Sequence, residues 1–298
     1  MNFHSCESRN IYLMRNTHTY LDVIDYSVSG EKFKLLCNED LEMLETFPRP
    51  PLDKLPEYYK SEDYISHTDF KRNLFEHIYH FIRKISLGRK LRLINSLVSM
   101  DRNLLDIGCG TGDFLRTASA NGWNIKGIEP DEKARQIANI KTKSKVFGTE
   151  ELKKTKANSF DVITLWHVFE HLPNPEDQLS FFRTLLRDEG FLIIAIPNFK
   201  SYDANYYKNY WAAYDVPRHL WHFSRRAITG IAERNQMKIV EVLPMPFDAF
   251  YVSLLSEKYK RGTINPIRAF WVGLSSNLKA RKNGEYSSLI YVLKKRIN

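Results

Sequence analysis

From Asn103 onward, short apolar runs alternate with amphipathic stretches. NLLDI precedes DFLRTASANG, NIKGI precedes DEKARQIANI, and KVF stands alone; DVITL precedes PEDQLSFFRTLL, and GFLIIAI, SRRAITGIAERN, KIVEVL and SSLIYVL follow. The apolar runs are rich in Ile, Val and Leu, as strands covered on both faces require. Their alternation with helical patterns predicts parallel strands joined by crossover helices, because parallel neighbours cannot be closed by a tight turn. Two long interruptions, 198–223 and 244–286, follow the fifth strand and precede the last. Insertions at such places usually cover or shape a site.

Upstream, Leu74, Phe75, Ile78, Phe81, Ile82 and Ile85 follow the three-and-four spacing of a buried helix face, predicting a helix over 70–98 that breaks at Gly88. Its opposite faces are basic. Such a helix can lie on a membrane, but packing against the sheet is the favoured reading. Residues 1–60 are irregular, with short strands expected at Tyr20–Ile24 and Phe33–Leu36. PRPPLDKLP, with four prolines, reads as a connector.

The chain has 298 residues, 43% hydrophobic and 27% charged, which excludes wholesale disorder. No apolar run is long enough to span a bilayer, and MNFHSCESRN does not have the pattern of a secretory leader. Three cysteines cannot build a disulfide framework, so a cytoplasmic setting is expected. The net charge of +9 is uneven: residues 255–298 carry ten Lys/Arg against two acids, and residues 71–102 carry eight against two. Basic stripes attract nucleic acid, anionic membranes or anionic substrates, although a solvated surface is the plainer reading.

The strongest chemical signal is LLDIGCGTG, where Gly108, Cys109, Gly110 and Gly112 follow Asp106 at a strand's carboxyl end. Glycines permit a tight strand-to-helix turn and close approach of a ligand to the backbone. The next strand ends in Glu129–Pro130, placing an acid where it can grip both hydroxyls of a ribose. A dinucleotide fold needs G-x-G-x-x-G, but Asp113 stands where the third glycine belongs, and an acid at a helix N-terminus repels diphosphate. A P-loop is excluded because no Gly-Lys-Ser/Thr follows. A nucleoside carrying a charged amino acid and no phosphate suits this acidic loop.

Together with GIEPD, FDVITLWHVFEHLPNP and GFLIIAIPN, the loop resembles the motifs of class I S-adenosylmethionine-dependent methyltransferases over roughly residues 100–243. The resemblance implies an α/β fold, a Rossmann-like open seven-stranded sheet, mostly parallel, with helices on both faces and an antiparallel last strand. It implies S-adenosylmethionine as cofactor, with Asp106, Gly108 and Gly110 at its amino-acid end and Glu129 at its ribose. The third strand should pass the adenine, with Glu150 or Glu151 as its acid and Phe147 or Thr149 against the base. The organisation expected is an N-terminal extension over 1–69 and a methyltransferase domain over 70–298, with its core at 100–243 and a basic part at 244–298.

Trp166 and His167 follow the fourth strand, where open α/β sheets place ligands, with Glu170 and His171 in a turn closed by Pro173 and Pro175. A histidine there can act as a general base toward an oxygen acceptor, or merely cap the turn. YWAAYDVPRHLWHFS resembles a stretch of a small-molecule branch that includes quinone-type methyltransferases. It gathers Asp215, Arg218, His219 and His222 among aromatic residues, a mix suited to a substrate lid. In a purely structural loop, Arg218 would instead pair with Asp215. His171, Asp215, His219 and His222 are the substrate-side candidates, and the expected acceptor is small or lipid-linked and methylated at oxygen. No spacing of His, Cys, Asp and Glu makes a convincing metal site.

FPRPPLDKLPEYYKSEDYISHTD resembles the segment that follows a four-cysteine ribbon in such proteins. Cys6 and Cys37 lack partners three residues on, where Arg9 and Asp40 stand, so a ribbon-like segment without its metal is expected, even counting His4 and His18. Two rival readings remain open: an RNA methyltransferase using the basic stripes, and a non-enzymatic protein binding a membrane surface or partner through the retained fold. Against RNA, no recognised RNA-binding module is present.

Overall fold

The computed structural model describes residues 17–51, 54–59, 74–99 and 101–296. In chain order the elements are β1 (Thr17–Ile24), β2 (Lys32–Asn38), β3 (Met43–Phe47), α1 (Leu74–Leu97), β4 (Asn103–Ile107), α2 (Asp113–Ser119), β5 (Asn124–Ile128), α3 (Glu132–Thr142) and β6 (Val146–Phe147). They continue with β7 (Phe160–Trp166), α4 (Pro175–Leu185), β8 (Leu186–Pro197), α5 (Tyr202–Tyr207), β9 (Trp221–Phe223), α6 (Arg225–Arg234), β10 (Met237–Pro244), α7 (Asp248–Arg261), α8 (Pro266–Asn283) and β11 (Ser288–Lys295). The chain divides into two compact units, one of Met1–His67, Pro197–Gly230 and Pro244–Ser288, the other of Thr68–Ile196, Ile231–Leu243 and Leu289–Asn298.

The second unit is the expected α/β fold. Its seven strands run in the order β10-β11-β8-β7-β4-β5-β6, and the pairs β4–β5, β4–β7, β5–β6 and β7–β8 are parallel. The closing strands run antiparallel. Leu104, Leu105, Val162, Ile163, Leu192 and Ile193 are buried, because helices screen both faces of these strands. The register sets Asp106 beside Gly127 on one side and Thr164 on the other.

Helix α1 runs unbroken through Gly88, contrary to the expected interruption. A lone glycine costs a helix only about 1 kcal/mol against alanine. Ile94 is fully buried in this unit's core, with Leu87, Leu91 and Leu97 packed against it, and that packing outweighs the local penalty. From Leu87 to Leu97 the helix thus packs, as favoured from the sequence. Residues 60–73, with most of the Tyr-Tyr-Lys-Ser-Glu-Asp stretch, lie outside the described residues, as do His4, Cys6 and Arg9.

The first unit contains an antiparallel sheet in the order β1-β2-β3-β9. The two short strands expected near the N-terminus are present as β1 and β2. Between them, the Asp25 carboxylate accepts from the backbone N–H groups of Ser27, Val28 and Ser29, and Gly30 supplies the positive φ that closes the turn. Phe33, Leu35, Leu44, Tyr207, Trp211 and Tyr214 form the core of this unit. The two interruptions of the strand pattern are here: 198–223 contributes α5 and β9, and 244–286 contributes α7 and α8.

Candidate functional site

At the carboxyl end of β4 the chain turns through Gly108, Cys109, Gly110, Thr111 and Gly112 into α2. Gly108, Gly110 and Gly112 have φ of 64°, 54° and 76°. A Cβ on Gly108 would run into Val168 and one on Gly112 into Ala138, whereas one on Gly110 would meet nothing within 4 Å among the described residues. Gly110 therefore borders open space where a ligand can reach the backbone. The Gly108 and Cys109 N–H groups donate to the Ile128 carbonyl at 2.7 and 3.1 Å, fastening the turn to β5. Burial, reinforced by Asp106 and Glu129, pushes the Cys109 thiol far above its usual range, so it is a packed side chain and a poor nucleophile.

Two acids flank the turn. Asp106 is 2% exposed and accepts the Thr164 hydroxyl at 2.6 Å. Burial pushes its carboxyl up to about 7; the Thr164 bond and the charge of Lys90 oppose this, and Glu129 adds to it. Glu129 is buried, and its two oxygens accept from the Gly110 N–H at 2.7 Å and the Asp131 N–H at 2.9 Å. Burial raises its carboxyl despite these bonds. A carboxylate oxygen accepts more than one hydrogen bond, so Glu129 retains capacity for a diol.

This arrangement fits S-adenosylmethionine. A buried acid with little compensation gains from a cationic ligand, and Glu129 is placed for hydroxyls. A diphosphate fits poorly, because Asp113 sits at the N-terminus of α2, where it is paired with Lys141 at 2.8 Å.

Toward the third strand, Glu151 is tied to Lys126 at 3.0 Å, while Glu150 is exposed with its carboxylate folded against Gly148. Phe147 is exposed beside it, with the Lys126 ammonium 5.4 Å from its ring centre. Glu150, not Glu151, thus faces solvent here, and Pro130 is exposed behind Glu129. Trp166 packs edge-on against Phe114 at 5.6 Å, and its indole N–H is buried with no hydrogen-bond partner among the described residues. Lys90 of α1 lies with its ammonium 4.4 Å above the Trp166 ring. Sequence reading missed Lys90, because a basic residue on a basic helix carries no mark of the ring and the carboxylate it faces. His167 has φ 57° and donates its N–H to the Ala195 carbonyl at 2.9 Å; its Nδ1 is 3.4 Å from the buried Glu170. His171 is half-buried in the following turn, its N–H bonded to the Val168 carbonyl.

The second cluster belongs to the other unit. Arg218 is buried and forks between Asp215 at 2.7 Å and Asp25 at 2.9 Å, with a third bond to the Tyr58 carbonyl. Despite the cost of burial, the two carboxylates hold the guanidinium firmly charged. The His219 Nδ1 donates to the Ala213 carbonyl at 2.9 Å, and its Nε2 lies 4.0 Å from Asp215. Thr46 gives its hydroxyl proton to the His219 carbonyl at 2.6 Å, so the Nε2 of His222, 3.0 Å away, must be the donor to that hydroxyl. Burial, then the nearby His219, keeps the His222 ring well below the usual histidine range and hence neutral. The roles of Asp25, Thr46 and Thr164 were not legible, since each depends on a partner distant along the chain.

A family model described as a methyltransferase domain matches residues 61–242, more than half of the chain. The chain belongs to this family: it is a class I methyltransferase, with S-adenosylmethionine as its cofactor. It is similar to the ubiquinone biosynthesis O-methyltransferase of Bordetella avium, 27% identical over 126 residues that make up 40% of this chain and 52% of that protein. The enzyme of the same description from Aromatoleum aromaticum is 32% identical over 110 residues, 34% of this chain and 47% of that one. The match spans about half the length of these curated relatives. Among solved structures, a SAM-dependent methyltransferase from Archaeoglobus fulgidus shares the fold at a TM-score of 0.50 and 18% identity, over 75% of this chain and all of that one. A geranyl diphosphate C-methyltransferase from Streptomyces coelicolor does so at 0.50 and 13%, over 70% and 77%.

Proposed function

We propose that this chain transfers a methyl group from S-adenosylmethionine to an oxygen of a small or lipid-linked acceptor. The observation that carries the reading is the pair of buried acids, Asp106 and Glu129, on either side of a glycine turn with open space at Gly110. The O-methyltransferase descriptions of its relatives support the acceptor class. When bound, the cofactor supplies an activated methyl on a cationic sulfur that leaves neutral.

In this reading Asp106 holds the cationic amino-acid end, helped by the backbone at Gly108, Cys109, Gly110 and Gly112. Lys90 meets the carboxylate of that end. Glu129 takes the ribose hydroxyls, with Pro130 turning the chain away, and Glu150 and Phe147 border the base. Trp166 and His167 wall the far side. Methyl transfer needs alignment first, and removal of one proton if the acceptor is a hydroxyl. His171 is one candidate base. In the other unit His219 is a second candidate base: the carbonyl bond at Nδ1 fixes its tautomer, its Nε2 lies on the side of Asp215, and His222 braces this pair. The chain would work in the cytoplasm, and a lipid-linked acceptor would call for peripheral membrane contact, since no helix among the described residues is long and apolar enough to cross a bilayer.

Calorimetry with S-adenosylmethionine, with NAD as the diphosphate control, tests the cofactor roles; binding of NAD in place of S-adenosylmethionine refutes them. Transfer of labelled methyl to phenolic polyprenyl acceptors, with RNA as the competing substrate, tests the acceptor. Labelling of RNA alone would overturn the assignment.

A further inference from the structure

Helix α8 is amphipathic in an unusual sense. Its buried face is built of small residues, Ala269, Gly273, Ser276 and Ala280, together with Val272. Gly273 is needed there: a Cβ would come within 2.8 Å of the Phe250 ring and 3.1 Å of the Ala249 carbonyl carbon on α7. The helix thus satisfies its need for burial through close backbone approach, with its bulky residues turned outward. Ile267, Phe270, Trp271 and Leu278 are 74%, 51%, 60% and 49% exposed. With the half-buried Leu274 they recur at three- and four-residue steps, one continuous stripe opposite the small-residue face. Phe270 stacks on Phe250 at 5.6 Å and meets Trp271 edge-on at 5.6 Å, so the aromatic rings form a joined surface.

Cations border the stripe. Arg268, Arg281 and Lys282 are all exposed, and across α7 and α8 there are seven basic residues against two acids. One of those acids, Glu257, is buried and paired with Arg261 at 3.0 Å. A large apolar stripe on a solvent face marks a surface that something covers. A second copy of this chain would bring the same cations against themselves, and a nucleic acid would have no use for isoleucine and leucine side chains. Apolar and aromatic side chains flanked by Arg and Lys, on a helix that cannot span a bilayer, suit the boundary between headgroups and acyl chains.

We infer that α8 docks this protein on an anionic lipid surface, with Ile267, Phe270, Trp271 and Leu278 entering the interface and Arg268, Arg281 and Lys282 meeting the headgroups. Docking goes beyond the methyl-transfer reading and does not depend on it, because neither the stripe nor its cations belong to the cofactor site.

Flotation of the full chain with vesicles of phosphatidylcholine, with and without phosphatidylglycerol, provides the test. Recovery with anionic vesicles alone, declining with salt, is the expected result. Changing Ile267, Phe270 and Trp271 together to Ser should lower partitioning at least about tenfold, and the Arg268→Glu, Arg281→Glu, Lys282→Glu variant should abolish the preference for phosphatidylglycerol. Both variants should keep the wild-type affinity for S-adenosylmethionine, which reports that they are folded. Absence of flotation at low salt overturns the inference. So does a wild-type dimer that the serine variant dissociates, because the stripe would then be a protein interface.

Discussion

Asp25 and Asp106 are both buried aspartates, and their surroundings treat them in opposite ways. Asp25 suffers the penalty of burial, yet Arg218 and the backbone and hydroxyl donors of Ser29 more than offset it, and its carboxyl lies below the usual range. Among the described residues Asp106 has one hydroxyl and a lysine acting from a distance, and its carboxyl rises to about 7. A saturated acid is a structural fastening. An acid held in a low-dielectric site with few donors favours any cation that arrives, which is the physical basis of the cofactor role proposed for Asp106.

Arg218→Met should be the most damaging substitution. It strands Asp25 and Asp215 without their cation and should cost about 3–5 kcal/mol, read as a lowered denaturation midpoint. A loss below about 1 kcal/mol would mean that the buried fork is not the fastening described. Glu129→Ala comes next, with an expected loss of about 2–3 kcal/mol in S-adenosylmethionine affinity; unchanged calorimetry would remove its ribose role.

The third test is pH. Because a cationic ligand favours ionised Asp106, affinity should be about tenfold weaker at pH 6 than at pH 8, and Asp106→Asn should flatten the profile. The unliganded protein should behave in the reverse sense. A raised carboxyl makes the native state retain a proton that the unfolded chain loses, so this contribution to stability declines from about pH 4 to about 7 and then levels off. Asp25 has the opposite sign: its contribution is present at neutral pH and lost as the pH falls through its lowered value. The smallest effect is Thr164→Val, which removes the Thr164 hydroxyl bonded to Asp106 and should move the binding midpoint upward by less than about one pH unit, about 1 kcal/mol. A downward shift would contradict the bond's direction.

The α/β unit was legible because strands buried on both faces leave apolar runs, and because the glycine turn has a spacing of its own. Glu129 stands out in the sequence by its distance from that turn, and the structure bonds it to the Gly110 N–H. The other unit left no such trace. Its central bonds join Asp25 to Arg218 and Thr46 to His222, residues more than 150 positions apart along the chain, and no local periodicity encodes them. Segments 198–223 and 244–286 could be seen as interruptions, but not as parts of one body with the N-terminal strands. Gly88 misled for the converse reason, since its local preference yields to the packing of Leu87, Leu91 and Ile94. Arg218 and Asp215 carried both a structural and a catalytic reading in the sequence, and only the second carboxylate, Asp25, reveals how fully the guanidinium is engaged.

The sheet order places β11 between β10 and β8, so a strand synthesised after both of its neighbours wedges between them. Until residues 288–295 emerge, a nascent chain must hold a slot open and leave β10 without its neighbour. Completion of this sheet is therefore expected to be a late event, and a chain stalled before residue 288 should remain open to proteases however well β4 to β8 have already paired.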